Sequence, residues 1–110
     1  MQKMNWPEKR KKEIGILLEC IDQKYSIKKE ALISKSRKKP LVMARRLFMN
    51  ILAETFEKDN MTHSDISEIV GRDRTSFIHN RKEHQNEYSR YKSYKEDYDS
   101  FKKDFIAKIS

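Results

Sequence analysis

Two groups of side chains in this sequence have the types and spacing to do directional chemistry. One is Arg72-Asp73-Arg74-Thr75-Ser76, with His79 a turn further on. The other is a basic run of Lys35, Arg37, Lys38 and Lys39, followed by Arg45 and Arg46. Lys and Arg neutralise phosphates and release condensed counterions, which gives affinity without sequence preference. Base edges are read by directional groups. Arg pairs two-pronged with guanine, Asp accepts from cytosine, and the Thr methyl touches that of thymine. Taken separately, each basic run is more often a solvated face; taken together, the two groups hold both halves of a nucleic-acid interface.

Helices must position these side chains. Thr62-His63-Ser64-Asp65 precedes Ile66, Ile69 and Val70, and Thr62 with Asp65 resembles a capping box, although Asp is shorter than the usual Glu. Gly71 ends that helical pattern. Asp73 is a good N-cap for the next helix, because its carboxylate can accept from free backbone N–H groups. Thr75, Ser76 and His79 fall on the first turns, and Phe77 and Ile78 supply the apolar side. The helix runs on through Arg81, Lys82 and His84. A short helix, a tight turn and a helix that opens with polar and cationic groups is the sequence form of a helix-turn-helix, whose second helix enters the major groove by its N-terminal residues. A helical hairpin with a polar loop is the plainer reading of the same spacing. In the interface reading, Lys35, Lys38, Lys39, Arg46, Arg72, Arg81 and Lys82 are the phosphate contacts, and a loop arginine can reach a minor groove.

The remaining pattern is also helical. Pro7 reads as a first-turn proline, and Ile14, Leu17, Leu18, Ile21 and Tyr25 follow at helical spacing, with Cys20 half-buried beside them. Ser26 is expected to cap a short helix holding Ala31, Leu32 and Ile33. After the basic loop at 34–39, Pro40 opens a helix to about 57 with Leu41, Ala44, Phe48, Ile51, Leu52 and Phe56 at core spacing. Residues 57–60 form a turn. At the C-terminus, Tyr91, Tyr94, Tyr98, Phe101 and Phe105 are spaced three, four, three, four, a coiled-coil-like seam. It covers little more than two heptads, so a helix packing back on the domain is favoured over a homodimer or partner surface. The expected organisation is a flexible 1–6, a helical domain at 7–88 and an amphipathic helix at 89–110. The expected fold class is all-α, a compact bundle of about five to six helices.

Composition narrows the function. The chain has 110 residues, 38% of them charged and 36% hydrophobic, with a net charge of +8, and such a balance favours nucleic acid or an anionic surface. No apolar run approaches the roughly 18 residues of a membrane span. One cysteine allows no intramolecular disulfide, which suits a cytoplasmic, nucleoid-associated setting. The expectation is no enzyme, no nucleotide, no cofactor and no metal. Only Gly15 and Gly71 are present, too few for a phosphate-cradling loop. His79 and His84 are five apart and do not share a helix face. His63 is expected at the surface.

Three segments carry a resemblance: 25–37 (Tyr-Ser-Ile-Lys-Lys-Glu-Ala-Leu-Ile-Ser-Lys-Ser-Arg), Met43-Ala44-Arg45-Arg46, and 67–79 (Ser-Glu-Ile-Val-Gly-Arg-Asp-Arg-Thr-Ser-Phe-Ile-His). They resemble, in order, the C-terminal DNA-binding domain of the bacterial replication initiator DnaA, over about residues 20–88. The family signature there is a Gly-Arg-Asp-His-Thr-Thr-Val-x-His run after a short helix. The resemblance implies a Trp-repressor-like helix-turn-helix that binds a short duplex site. It implies that Arg37 is the minor-groove arginine, that Arg45 is a major-groove arginine, and that Asp73, Thr75, Ser76 and His79 are recognition-helix contacts. Arg74 stands at the first signature histidine and Ser76 at the second threonine, so the preferred sequence is expected to differ. Arg46 stands where glutamine is common. Only about twenty residues precede the match, where DnaA carries an ATPase module. The expectation is therefore a stand-alone DNA-binding protein, or a domain excised from a longer one, that controls replication or transcription in a bacterium, phage or mobile element. The alternative is a protein-interaction module that uses the aromatic seam.

Overall fold

The computed structural model describes residues 7–57 and 61–110. The N-terminus expected to be flexible and most of the turn expected at 57–60 lie outside the described residues. The described residues form six helices: α1 (Glu8–Tyr25), α2 (Lys29–Leu32), α3 (Lys39–Phe56), α4 (His63–Ile69), α5 (Arg74–Arg90) and α6 (Lys92–Ile109). The fold is all-α, and none of these helices is long and apolar enough to cross a membrane.

The long helix α3 is the centre. Pro40 sits in its first turn, where a missing N–H costs nothing. Leu47, Phe48, Met49, Ile51, Leu52 and Phe56 are all buried, so the apolar positions wrap most of the helix instead of forming one stripe. Each such side chain contributes about 1.5–3 kcal/mol on burial. α1 packs against α3 and α6, with its Leu17 and Ile21 fully buried. α4 and α5 pack against α3 and against each other.

Two local expectations need correction. Ser26 does not cap α2; it ends α1 in the left-handed conformation at φ 58°, its N–H donating to the Asp22 carbonyl. Lys28 is the N-cap of α2, and Ile33 lies just past its end, 38% exposed. Cys20 is buried, and burial pushes its thiol pKa up.

α5 ends at Arg90 because Tyr91 turns extended, at φ −119° and ψ 116°. That break lets α6 fold back. Tyr98, Phe101 and Phe105 enter the same core as α1 and α3. Phe105 meets Phe56 edge-on at 6.4 Å, and Phe101 stacks on Tyr25 at 6.1 Å. Tyr94 is half-buried and Tyr91 is 48% exposed. The seam thus faces inward at Tyr98, Phe101 and Phe105, the packing back on the domain that its length favours, and residues 92–109 share one core with the helices before them.

Candidate nucleic-acid interface

The helix-turn-helix is built by caps. Thr62 Oγ1 accepts from the Asp65 N–H at 3.1 Å, and the Asp65 carboxylate accepts from the Thr62 N–H at 3.1 Å, a complete capping box. Gly71 adopts φ 68°, a conformation in which a side chain is strained. This lets the Arg72 N–H close back on the Ser67 carbonyl at 2.8 Å. Asp73 then caps α5, its Oδ1 accepting from the Ser76 N–H at 2.9 Å.

Packing sets the rotation of α5. Phe77 is 1% exposed and stacks under the His63 ring at 4.5 Å. His63 is therefore a surface residue, as expected, but one that covers an aromatic. Arg81 and His84 follow on the same inward face. Arg74, Thr75, Ile78, His79 and Lys82 are left exposed, and Ser76 half-exposed. Ile78 was expected on the apolar side with Phe77. It is instead 46% exposed, because adjacent residues point about 100° apart around a helix with 3.6 residues per turn.

The basic loop is held by its own serines. Ser34 Oγ donates to the Ala31 carbonyl at 2.7 Å and accepts from the Ser36 N–H at 3.3 Å; Ser36 Oγ accepts from the Lys38 N–H at 3.3 Å. Lys35, Arg37, Lys38 and Lys39 all point to solvent. Arg45, expected on a base, does not. It is 4% exposed. Its guanidinium donates to the carbonyls of Leu32 at 2.6 Å, Ser36 at 2.8 Å and Ser34 at 2.7 Å. Burial, and then the neighbouring Arg72 charge, lower its pKa. Arg45 ties the end of α2 and the loop to α3.

Arg72 joins the two groups. Its Nη2 donates to the Ser34 carbonyl at 2.9 Å across 38 residues of sequence. The loop and the start of α5 therefore border one concavity of about 360 Å³, lined among others by Lys35, Arg37, Arg72, Ser76 and Asn80. Asn80 was not anticipated; its side-chain NH2 donates to the Ser76 carbonyl at 2.9 Å.

Two further arginines expected on phosphates turn inward. Arg81 donates to Asn50 Oδ1 at 2.8 Å and to Glu54 at 3.3 Å. The Arg46 side chain is 11% exposed and lies 3.9 Å from Glu83. The charges of both meet carboxylates of this chain. Glu54 also accepts from the Tyr98 hydroxyl at 2.7 Å and from Lys102 at 2.9 Å. Burial acts to raise the Glu54 pKa, but these donors outweigh it and hold the pKa below the usual range. His84 lies beside this cluster, 2% exposed, with Nδ1 2.8 Å from the Tyr94 hydroxyl. Burial lowers its pKa to about 4. No sequence pattern announced this cluster, because its members come from α3, α5 and α6.

An all-α fold with a capped α4, a glycine turn and an α5 that presents polar and cationic groups defines a helix-turn-helix protein. Residues 14–83 match the family model of the bacterial DnaA protein helix-turn-helix, and the chain belongs to that family. The match ends inside α5, ahead of α6. No curated protein and no solved structure matches the chain.

Proposed function

We propose that this protein binds duplex DNA and reads its sequence. The N-terminal half of α5 lies in the major groove, where Asp73, Arg74, Thr75, Ser76 and His79 face the base edges. Arg37 enters the adjacent minor groove from the basic loop. Lys35, Lys38, Lys39, Arg72 and Lys82 contact phosphates. One observation carries this reading: Arg72 bonds the α5 turn to the Ser34 carbonyl, so that the loop and the recognition helix share one face. Adjacent grooves are separated by one sugar–phosphate strand. The concavity between Arg37 and Ser76, bordered by Lys35 and Arg72, has the charge to take that strand. The competing use of the aromatic seam by a protein partner has less support, since Tyr98, Phe101 and Phe105 are buried.

Selection from a random duplex library at roughly physiological salt tests the proposal, followed by binding of the winner against scrambled DNA. The expected result is a motif with a large affinity gap. Arg37→Ala and Thr75→Ala should then lower affinity for the motif more than for scrambled DNA. Lys38→Ala should weaken both about equally and reduce the salt slope by about one. Recovery of no motif, or equal losses for all three variants, removes the specific-readout claim.

A further inference from the structure

Ile78 is the one apolar side chain on the exposed face of the first two turns of α5. Around it on that face are Arg74, Thr75, His79 and Lys82, all polar or charged and all open to solvent. Its position there is fixed from the other side of the helix. Phe77 is held under His63, and Arg81 is bonded to Asn50 and Glu54, so α5 cannot roll to bury Ile78 without breaking those contacts. Thr75 is three residues before Ile78 and Lys82 four after. Helical geometry therefore puts these three side chains in one row.

Resting on the DNA-binding reading above, we infer that Ile78 is a specificity residue that packs against the C5-methyl group of a thymine. A branched alkyl group can neither donate nor accept a hydrogen bond. Seated against a polar base edge, it strips water from a donor or acceptor and replaces nothing, which is unfavourable. The thymine methyl is the apolar group that the four base pairs display in the major groove. Of the groups on this row, Ile78 offers the largest apolar contact to it. Thr75 offers a smaller methyl, beside a hydroxyl free to hydrogen-bond.

The experiment uses the full chain and the duplex recovered by selection. Each thymine in the site is replaced in turn by deoxyuridine, which removes only the methyl, and binding is measured for the wild type, Ile78→Ala and Thr75→Ser. The expected result is one position where uracil weakens the wild type about fourfold, the effect of one methyl leaving an apolar contact. At that position Ile78→Ala should show no uracil penalty, whereas Thr75→Ser, which loses only the threonine methyl, should keep it. Circular dichroism checks that Ile78→Ala folds, as expected of an exposed position. An equal uracil penalty in the wild type and Ile78→Ala overturns the inference, as does a wild type indifferent to uracil at every thymine. Neither of those outcomes touches the broader reading, which fails if selection yields no motif or if Arg37→Ala, Thr75→Ala and Lys38→Ala lose affinity equally for motif and scrambled DNA.

Discussion

Arg45 and Arg72 converge on a single acceptor, the Ser34 carbonyl oxygen, at 2.7 Å and 2.9 Å. One arginine comes from the central helix and the other from the turn of the helix-turn-helix. Two like charges are drawn together because the loop carbonyls supply the negative ends of their dipoles. The geometry of the basic loop, and hence the direction of Arg37, follows from this pair.

Arg45→Ala should lower stability by about 2–4 kcal/mol, because charge-assisted bonds to buried carbonyls are lost together. Arg45→Lys should recover less than half of that loss, since a single ammonium cannot span the carbonyls of Leu32, Ser34 and Ser36. Urea denaturation of the two variants checks this. A wild-type midpoint in either one would show that the clamp contributes little.

Arg72→Lys separates charge from geometry. It keeps the positive charge, so the slope of affinity against salt should stay near the wild-type value. It cannot hold the planar fork that reaches both Ser34 and the Val70 carbonyl. Affinity for the selected site should therefore fall several-fold while that for scrambled DNA changes little. Titrations of both duplexes at several salt concentrations check the prediction.

The buried His84 makes the fold sensitive to acid. Its pKa falls from 6.5 to about 4 in the folded chain, so between those values the unfolded chain holds a proton that the folded chain does not. Stability is fully present above about 6.5 and is lost as pH falls toward 4. The total is on the order of 3 kcal/mol. Glu54 adds a second loss further down, because its depressed pKa favours the ionised folded form until it protonates. Denaturation midpoints measured from pH 7 to pH 4 should fall for the wild type. They should fall less over this range for His84→Gln, which has no imidazole to charge.

Phe105→Ala should cost about 3–5 kcal/mol, the usual effect of removing a fully buried phenylalanine. Tyr91→Ala, at the exposed joint between α5 and α6, should change stability by less than about 1 kcal/mol. Thermal melts of the two variants check the pair. A mild Phe105→Ala would mean that α6 is not part of the core.

Much of the architecture is legible in the sequence. The Thr62–Asp65 box, the Gly71 turn and the Asp73 cap are local devices, with every partner within a few residues, and all three form as expected. Arg45 escaped the same treatment. Whether an arginine faces solvent or buries depends on carbonyls supplied from elsewhere in the chain, here residues 31–36. The burial of Ile78 is not legible because two adjacent apolar residues fit either side of a short helical pattern, and the core contacts of Phe77 with the Arg81 bonds to Asn50 and Glu54 decide between them. Arg46 and Arg81 look like surface cations until Glu83, Asn50 and Glu54 are brought beside them by the crossing of α3 and α5.

Tying the loop carbonyls to Arg45 and Arg72 moves a thermodynamic burden from one process to another. A free loop of six residues has many conformations, and fixing its backbone costs about 1–2 kcal/mol per residue. Here that ordering is completed when the chain folds. A ligand arriving at Arg37 and the start of α5 meets two arms already at a set separation, and little of its binding free energy is used in arranging them.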